Sequence, residues 1–160
     1  MNNEMSAVVQ KIHSFFREKN LTLSVAESCT GGLISHLITT LPGASAFFEA
    51  GVVSYSAAVK ENMLGVSPET IARYGVVSEQ VVREMAKNIR RLTNTDFSLS
   101  TSGNLGPDVL ESKEKGLVYI AVSREGEVFS KELRLKGNRE ENKEEASRLA
   151  LEFLVEIAEG

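Results

Sequence analysis

The sequence predicts an α/β fold: a three-layer α/β/α sandwich around a mixed sheet of about five strands. Segments with the periodicity of strands alternate with segments of helical periodicity, which is typical of layered α/β proteins. One segment, 117–122, is apolar on both faces and is expected to be the central strand of a sheet covered on both sides. The short link Arg124-Glu125-Gly126 joins it to the next strand as a hairpin, which makes the sheet mixed.

The first half of the chain predicts alternating helices and strands. Apolar residues spaced three and four apart begin the series, and Pro42-Gly43 and Gly65 mark helix ends. In chain order the predicted elements are a helix over 5–19, a strand over 21–25, a helix over 33–41, a strand over 50–55 and a short helix over 57–64.

The second half adds three helices and three strands. Ser67 and Ser78 are predicted N-caps of two helices, and Asn138 with Glu141 predicts a capping box at the start of the last helix. The helix after Ser78 has an expected buried stripe of Val81, Val82, Met85, Ile89 and Leu92. The predicted strands cover 97–101, 117–122 and 128–135, and the charges of the last one predict an edge strand.

Length, charge and cysteine content exclude several classes of protein. A chain of 160 residues without repeats has the size of one compact domain, which we expect to span residues 1–160. Lys and Arg total 18 against 22 Asp and Glu, and the net charge of −4 is opposite to that of typical nucleic-acid binders. No apolar run is long enough for a membrane span, and the N-terminal segment lacks a signal-peptide pattern. The single Cys29 excludes internal disulfides, so we expect a cytoplasmic protein with neither nucleic-acid nor membrane partners.

The loop after the first predicted strand, 26–32, is the first candidate site. Ser28, Cys29 and Thr30 supply two hydroxyls and a thiol, and Gly31 and Gly32 follow at the start of a helix. Free amides at a helix N-terminus attract an anion, so a phosphate or an oxyanion is one interpretation. Equally well, Thr30 caps the helix and the glycines only permit a tight turn.

A serine nucleophile needs a base, and the chain offers few. His13 and His36 lie within predicted helices and outside the candidate loops, so structural or solvated roles are expected for both. Lys60 follows Tyr55 by five residues and could reach the same strand-end crevice as Ser28 if burial lowers its pKa by about three units. On the pattern alone, a solvated Lys60 and an ordinary strand Tyr55 are the simpler interpretation.

Cys29 is a competing nucleophile, because a thiol at a helix N-terminus has a lowered pKa. A small buried hydrophobic residue is the alternative interpretation, and the more common one for a lone cysteine.

A second candidate loop follows the strand at 97–101. Ser102, Gly103 and Gly106 offer a hydroxyl and amides that could bind a phosphate or a sugar, or could merely connect two strands. Further along, Arg139 lies at the start of the last helix, where the helix dipole disfavours a cation unless an anion compensates it. The pattern therefore favours a phosphate ligand near Arg139, although neighbouring glutamates could compensate the charge instead.

Taken together, these motifs resemble the nicotinamide-nucleotide amidohydrolase family, also known as the CinA C-terminal domain family. The resemblance covers residues 21–154 in the same order. It rests on Ala26-Glu27-Ser28-Cys29-Thr30-Gly31-Gly32, on Gly51-Val52-Val53-Ser54-Tyr55-Ser56 with Lys60 and Leu64-Gly65-Val66, and on Gly75-Val76-Val77-Ser78.

The resemblance implies hydrolysis of the carboxamide of nicotinamide mononucleotide to nicotinic acid mononucleotide and ammonia. It implies Ser28 as nucleophile, Lys60 as general base and Tyr55 as its hydroxyl-bearing companion, without a metal or an organic cofactor. The nucleotide would bind through Thr30, Gly31, Gly32, Ser102, Gly103, Gly106 and Arg139. It also implies self-association into a dimer or a larger homo-oligomer.

One departure from the family pattern affects the second loop. The family's glycine-rich run T-G-I-A-G-P-x-G-G is here Ser102-Gly103-Asn104-Leu105-Gly106-Pro107-Asp108-Val109-Leu110. Because a Val-Leu pair cannot adopt positive φ as readily as two glycines, the loop must take another path. A catalytically weak or inactive nucleotide-binding module is therefore the alternative function, while the later Gly137-Asn138-Arg139 element of the family survives.

Overall fold

The computed structural model describes all residues from Met1 to Gly160. Its helices are α1 (Asn3–Lys19), α2 (Leu33–Thr40), α3 (Ala57–Asn62), α4 (Pro68–Tyr74), α5 (Glu79–Thr93) and α6 (Arg139–Glu159), with a 3₁₀ turn at Ala44–Ala46. Its strands are β1 (Leu23–Glu27), β2 (Phe48–Val53), β3 (Phe97–Gly103), β4 (Leu117–Arg124) and β5 (Glu127–Arg134). No helix combines the length and the apolar surface that crossing a bilayer would need.

The five strands form one mixed sheet in the order β2-β1-β3-β4-β5. β1 runs parallel to β2 and to β3, whereas β4 runs antiparallel to both β3 and β5. The predicted mixed sheet and its hairpin are confirmed, because β4 and β5 are joined through Glu125 and Gly126 with Arg124 opposite Glu127. β5 is an edge strand, as its charges predicted.

Helices cover both faces of the sheet, which confirms the three-layer sandwich. On one face α1, α2 and α6 pack over the largest apolar cluster, which contains Val9, Phe16, Leu99 and Leu154. On the other face α5 packs over smaller clusters with Val81, Met85 and Ala121.

The middle strand is β3, which corrects the expectation that 117–122 is central. β4 is an interior strand one position from the middle. The sequence conceals the position of β3 because serines occupy the face toward α5. Ser98 and Ser100 donate hydrogen bonds to carbonyls within α5, at 2.5 and 2.6 Å, so small polar residues are satisfied inside the sandwich.

Most predicted helix ends agree with the structure. Ser78 accepts from Val81 as the N-cap of α5, and the capping box of Asn138 and Glu141 is formed. Ser67 occupies the N-cap position of α4, but its hydroxyl donates to Glu69 and bonds no helix amide. The prediction for Leu92 is wrong: in the last turn of α5 it is 64% exposed. Ala86 takes its place in the buried stripe, and its carbonyl is the acceptor for Ser98.

Candidate active site

The candidate residues gather at one edge of the sheet. β1, β2 and β3 are parallel to one another, so their carboxyl ends point the same way, and in α/β sheets ligands bind at that edge. Ser28 follows the last residue of β1, and Tyr55 comes two residues after the end of β2. The loop that leaves β3 begins after Gly103 and returns at Leu117.

Ser28 and Lys60 form a buried hydrogen-bonded pair. Lys60 extends from α3, its Nζ lies 2.8 Å from the Oγ of Ser28, and it is 1% exposed while Ser28 is 7% exposed. The same Nζ donates to the carbonyls of Ser54 at 2.8 Å and of Tyr55 at 3.2 Å. A neutral amine can donate its two hydrogens to these carbonyls and direct its lone pair at the Ser28 hydroxyl. The interpretation of Lys60 as a solvated helix residue is therefore wrong.

Burial also moves the Lys60 amine toward the neutral state. The loss of hydration lowers the pKa of Lys60 to about 8, partly opposed by the acidic groups Cys29 and Glu111. At pH 7 about one amine in ten is then neutral, which is enough for a base to act without a histidine.

Burial shifts the pKa of Cys29 in the direction opposite to that of Lys60. Burial raises the pKa of its thiol to about 12, even though Thr101 and Lys60 stabilise the thiolate. The thiol is therefore protonated at neutral pH and packs in the apolar cluster that includes Ile34 and Leu105. Of the two adjacent nucleophile candidates, the geometry favours Ser28.

Glu27, which the sequence did not single out as a functional residue, fills the anion site that was predicted at the start of α2. Its carboxylate is fully buried and accepts from the Thr30 hydroxyl at 2.6 Å. It also accepts from the amides of Gly32, Ile34 and Ser35 at 3.2, 3.0 and 2.9 Å, and from the Ser35 hydroxyl at 2.8 Å. An internal carboxylate thus compensates the helix dipole, so this position does not need a substrate phosphate.

This contact fixes the turn that carries Ser28. The Thr30 hydroxyl, bound to Glu27, also lies 2.9 Å from the hydroxyl of Thr101, which in turn accepts from the Ser28 amide at 3.3 Å. The Gly31 amide closes the turn on the Ser28 carbonyl at 3.0 Å. The amides of Cys29 and Thr30 donate to no other residue of the chain. Two free donors therefore directly follow the serine.

Tyr55 and Arg139 meet outside the buried pair. Tyr55 is 60% exposed, and its hydroxyl accepts from the guanidinium of Arg139 at 3.1 Å. Arg139 also donates to the carbonyl of Gly106 at 2.6 Å. The Tyr55 hydroxyl therefore contacts Arg139, and it is the backbone carbonyl of Tyr55 that contacts Lys60.

Ser102 and Gly103, which the sequence placed in the second loop, are the last residues of β3 and have structural roles. The Ser102 hydroxyl donates to the Val76 carbonyl at 2.7 Å, which ties β3 to the link between α4 and α5. A Cβ on Gly103 would lie 2.7 Å from the backbone of Leu117 and Val118, so the glycine allows the two strands to pair closely. Of the residues predicted in this loop, Gly106 is the one whose backbone reaches Arg139.

The loop places its positive φ angles outside the Val-Leu pair. Positive φ falls on Glu111 and Ser112, at 59° and 57°, and not on Val109 or Leu110. The Asn104 side chain organises the loop by bonding the amide and carbonyl of Leu110 and the carbonyl of Lys113. Glu111 then anchors it to the amides of Val76 and Val77 at 2.8 and 3.2 Å.

Neither histidine is hydrogen-bonded to Ser28. His13 is buried, its Nε2 bonds the Ile38 carbonyl at 2.8 Å, and its ring packs edge-on against Phe47. His36 is exposed on α2. No three His, Cys, Asp or Glu side chains are grouped so that they could hold a metal ion.

Sequence reasoning missed two residues that contact the candidate site. Glu27 lies three residues before Thr30 at a strand end, and that spacing of a carboxylate before a helix start was the available signal. Lys143 lies four residues after Arg139, which places both on one side of α6. Its Nζ would be 3.1 Å from a Cβ built on Gly31, so it covers the turn that carries Ser28.

Comparison with known proteins identifies the relatives of this chain. Residues 5–158 match the family model described as the CinA C-terminal domain. A protein of Thermoanaerobacter sp. (strain X514), whose name connects it with competence and damage induction, is 48% identical over 137 residues. A CinA-like protein of Shewanella amazonensis is 44% identical over 131 residues. These matches cover 85% and 81% of this chain but 32% and 31% of the relatives, so the chain spans about a third of their length.

Solved structures agree with the fold over nearly the whole chain. The competence or damage-inducible protein from Enterobacter asburiae superposes with a TM-score of 0.95 at 33% identity, covering 98% of this chain and 99% of that one. A competence/damage inducible protein from Agrobacterium tumefaciens gives a TM-score of 0.93 at 34% identity, covering 97% and 96%. The sequence resemblance to this family is confirmed, together with its mixed five-stranded fold.

Proposed function

The chain belongs to the CinA C-terminal domain family, and from that membership and the buried pair of Ser28 and Lys60 we propose that it hydrolyses the carboxamide of nicotinamide mononucleotide. The products are nicotinic acid mononucleotide and ammonia. The family resemblance supplies the substrate, and the geometry supports the chemistry. One observation carries the chemistry: the Nζ of Lys60 lies 2.8 Å from the Oγ of Ser28 and is shielded from water.

In the first half of the reaction, neutral Lys60 takes the Ser28 proton while Oγ bonds to the amide carbon. The carbonyl oxygen becomes an oxyanion, and the free amides of Cys29 and Thr30 are the donors nearest in sequence to hold it. Lys60, now an ammonium, gives its proton to the amide nitrogen as the C–N bond breaks. Ammonia leaves, and Ser28 carries the acyl group as an ester.

In the second half, water attacks the ester and passes a proton to Lys60. The ester bond breaks, the carboxylic acid leaves, and Lys60 returns the proton to Ser28, so that the site regains its first state. The carbonyls of Ser54 and Tyr55 hold the Lys60 amine in place through both halves.

The phosphate of the nucleotide is proposed to bind at Arg139. Glu27 already occupies the start of α2, which leaves Thr30 and Gly32 engaged with a carboxylate of the protein itself. Arg139 has only neutral partners, Tyr55 and Gly106. A guanidinium with neutral partners keeps its charge available for an anion.

Ammonia release from nicotinamide mononucleotide tests this function directly. The wild-type protein is expected to release ammonia and nicotinic acid mononucleotide in equal amounts. Ser28→Ala and Lys60→Met are each expected to lower the rate at least about a hundredfold, since each removes half of the proton-transfer pair. Cys29→Ala is the matched control, and it should retain activity because the thiol is protonated. Wild-type protein without ammonia release, or full turnover by Ser28→Ala, would overturn the proposal.

A nucleotide-binding module without turnover is the second candidate function. The path of the 104–116 loop favours it, because Asn104 bonds the amide of Leu110, at the position of a family glycine, and Glu111 directly after it bonds the amide of Val76. Calorimetry with nicotinamide mononucleotide would show binding in this case, while ammonia stays at background at high protein concentration. Measurable ammonia release excludes it.

Self-association and location stay predictions from the sequence. We propose that the chain forms a dimer or a larger homo-oligomer in the cytoplasm. Sedimentation velocity at micromolar concentration tests the first point, since a monomer across the concentration range would contradict it.

A further inference from the structure

Six residues connect the Ser28–Lys60 pair with the first turns of α6. Lys60 bonds Ser28 and the Tyr55 carbonyl, and the Tyr55 hydroxyl accepts from Arg139. One helical turn further along α6, Lys143 lies over Gly31, whose amide returns to the Ser28 carbonyl at 3.0 Å. The six residues are Ser28, Lys60, Tyr55, Arg139, Lys143 and Gly31.

Two of the three cations of α6, Arg139 and Lys143, have no acidic partner. Three of the nine arginines, Arg124, Arg134 and Arg148, form an ion pair with a glutamate. Arg139 and Lys143 have no carboxylate oxygen within 4.0 Å, even though Glu140 and Glu144 line the same cavity as Lys143. Two positive charges four residues apart are thus left without a carboxylate, one bonded to Tyr55 and Gly106 and the other over Gly31 in the serine turn.

Open space adjoins both cations. A cavity of about 440 Å³ is lined by Gly31, Gly32, Lys143 and neighbouring residues. A second cavity, of about 370 Å³, is lined by Gly106, Lys115 and Arg139. Glu140, the residue next to Arg139, lines both cavities.

Gly31 makes room for the lysine. Its φ of +59° is unfavourable for most side chains, and a Cβ there would lie 3.1 Å from the Lys143 Nζ. A side chain at residue 31 would bring its Cβ into close contact with the ammonium, which would have to shift by a few tenths of an ångström. The Lys143 ammonium therefore lies directly over the backbone of the serine turn.

We propose that Lys143 is a specificity residue that binds the phosphate of the nucleotide together with Arg139. A phosphate monoester carries nearly two negative charges and three acceptor oxygens, so it can bond a guanidinium and an ammonium at the same time. A nucleoside lacks the phosphate and offers Lys143 no such anionic partner. The pair thereby selects mononucleotides over nucleosides, and this inference rests on the function proposed above.

The test compares nicotinamide mononucleotide with nicotinamide riboside, which lacks the phosphate. Lys143→Met is expected to raise the KM for the mononucleotide about tenfold, since a charge-assisted hydrogen bond is lost. The kcat and the activity on the riboside should change less than twofold. Lys87→Met, on the exposed side of α5, makes the same change in net charge and should leave both substrates unaffected. An unchanged KM, or an equal loss on both substrates, would overturn the role of Lys143.

A binding experiment separates this inference from the proposed function. Calorimetry in the Ser28→Ala background measures the affinity for nicotinamide mononucleotide without turnover, and adding Lys143→Met should weaken it about tenfold. Equal affinity with and without Lys143→Met refutes only the role of Lys143. If wild-type protein releases no ammonia and the Ser28→Ala protein binds no mononucleotide, both the inference and the proposed function are refuted.

Discussion

Two loops that leave neighbouring parallel strands are each held by one glutamate, but the two glutamates lie in opposite environments. After β1, Glu27 is fully buried and bonds residues three to eight positions further along. After β3, Glu111 lies in an exposed loop and bonds Val76 and Val77, more than thirty residues earlier. The contacts of Glu27 are buried and join residues close in sequence. The contacts of Glu111 are partly exposed and join residues far apart in sequence.

The contrast separates the part of the site that must be rigid from the part that can vary. Water cannot replace a buried carboxylate, so losing Glu27 leaves hydroxyl and amide donors without partners. Around Glu111, water can bond the freed amide of Val76, and only the amide of the buried Val77 loses its partner. Changes in the 104–116 loop can therefore alter how a ligand fits without moving Ser28.

Removing Glu27 is expected to have the largest effect on stability. Glu27→Ala leaves the amides of Gly32, Ile34 and Ser35 unpaired, and should lower the free energy of unfolding by about 3 kcal/mol or more. Urea unfolding of variant and wild type measures the difference.

Two further variants keep this test informative. Glu27→Gln retains one acceptor oxygen and should lose less, so it remains available if Glu27→Ala does not fold. Glu18→Ala, on the exposed side of α1, is the matched control and should change stability by less than about 0.5 kcal/mol. If Glu27→Gln behaved like this control, the buried carboxylate would not be what holds the serine turn.

Removing Glu111 is expected to cost less, about 1 kcal/mol at neutral pH, because the amide of Val76 and the ammonium of Lys113 can turn to water. Burial raises the pKa of Glu111, but the amides of Val76 and Val77 and the ammonium of Lys113 outweigh it, so the net pKa is lowered. A carboxylate with a lowered pKa stabilises the fold above its unfolded pKa, and this contribution is lost as the pH falls through the folded value. Unfolding experiments on Glu111→Ala should therefore show a difference from wild type that shrinks in acid.

Glu125→Ala, in the hairpin between β4 and β5, is the control for this comparison. Its exposed carboxylate is in no hydrogen bond or ion pair, so it should match wild type at every pH. A loss in Glu111→Ala as large as that in Glu27→Ala would contradict the division into a rigid and a variable loop.

The sequence predicted the order of helices and strands well because most elements follow simple periodicity. The sequence did not predict that β3 is the middle strand, and the reason is physical. Ser98 and Ser100 are polar by composition, yet they are satisfied by carbonyls of α5, and no local pattern reveals such a distant acceptor. An apolar strand such as β4 therefore looks more central than the real middle strand.

The candidate site was predictable in its residues but not in its bonding. Ser28 and Arg139 were identified at a strand end and a helix start, whereas the role of Lys60 was implied by the family resemblance. Whether Lys60 is buried depends on the fold around it, and the sequence alone favoured a solvated side chain. The same limit applies to Glu27, because only the fold shows that its own helix, and not a ligand, takes up its charge.

The smallest expected effect links the two loops through the pH dependence of the rate. If neutral Lys60 is the base, kcat/KM should rise with pH through about 8, where burial has placed its pKa, and level off above. The negative charge of Glu111 raises the pKa of Lys60, so Glu111→Gln should move this midpoint to lower pH, by less than burial does. Glu125→Gln should leave the midpoint where it is. A rate that falls over this pH range would exclude Lys60 as the base, whereas a fixed midpoint in Glu111→Gln would show that the two loops are electrostatically independent.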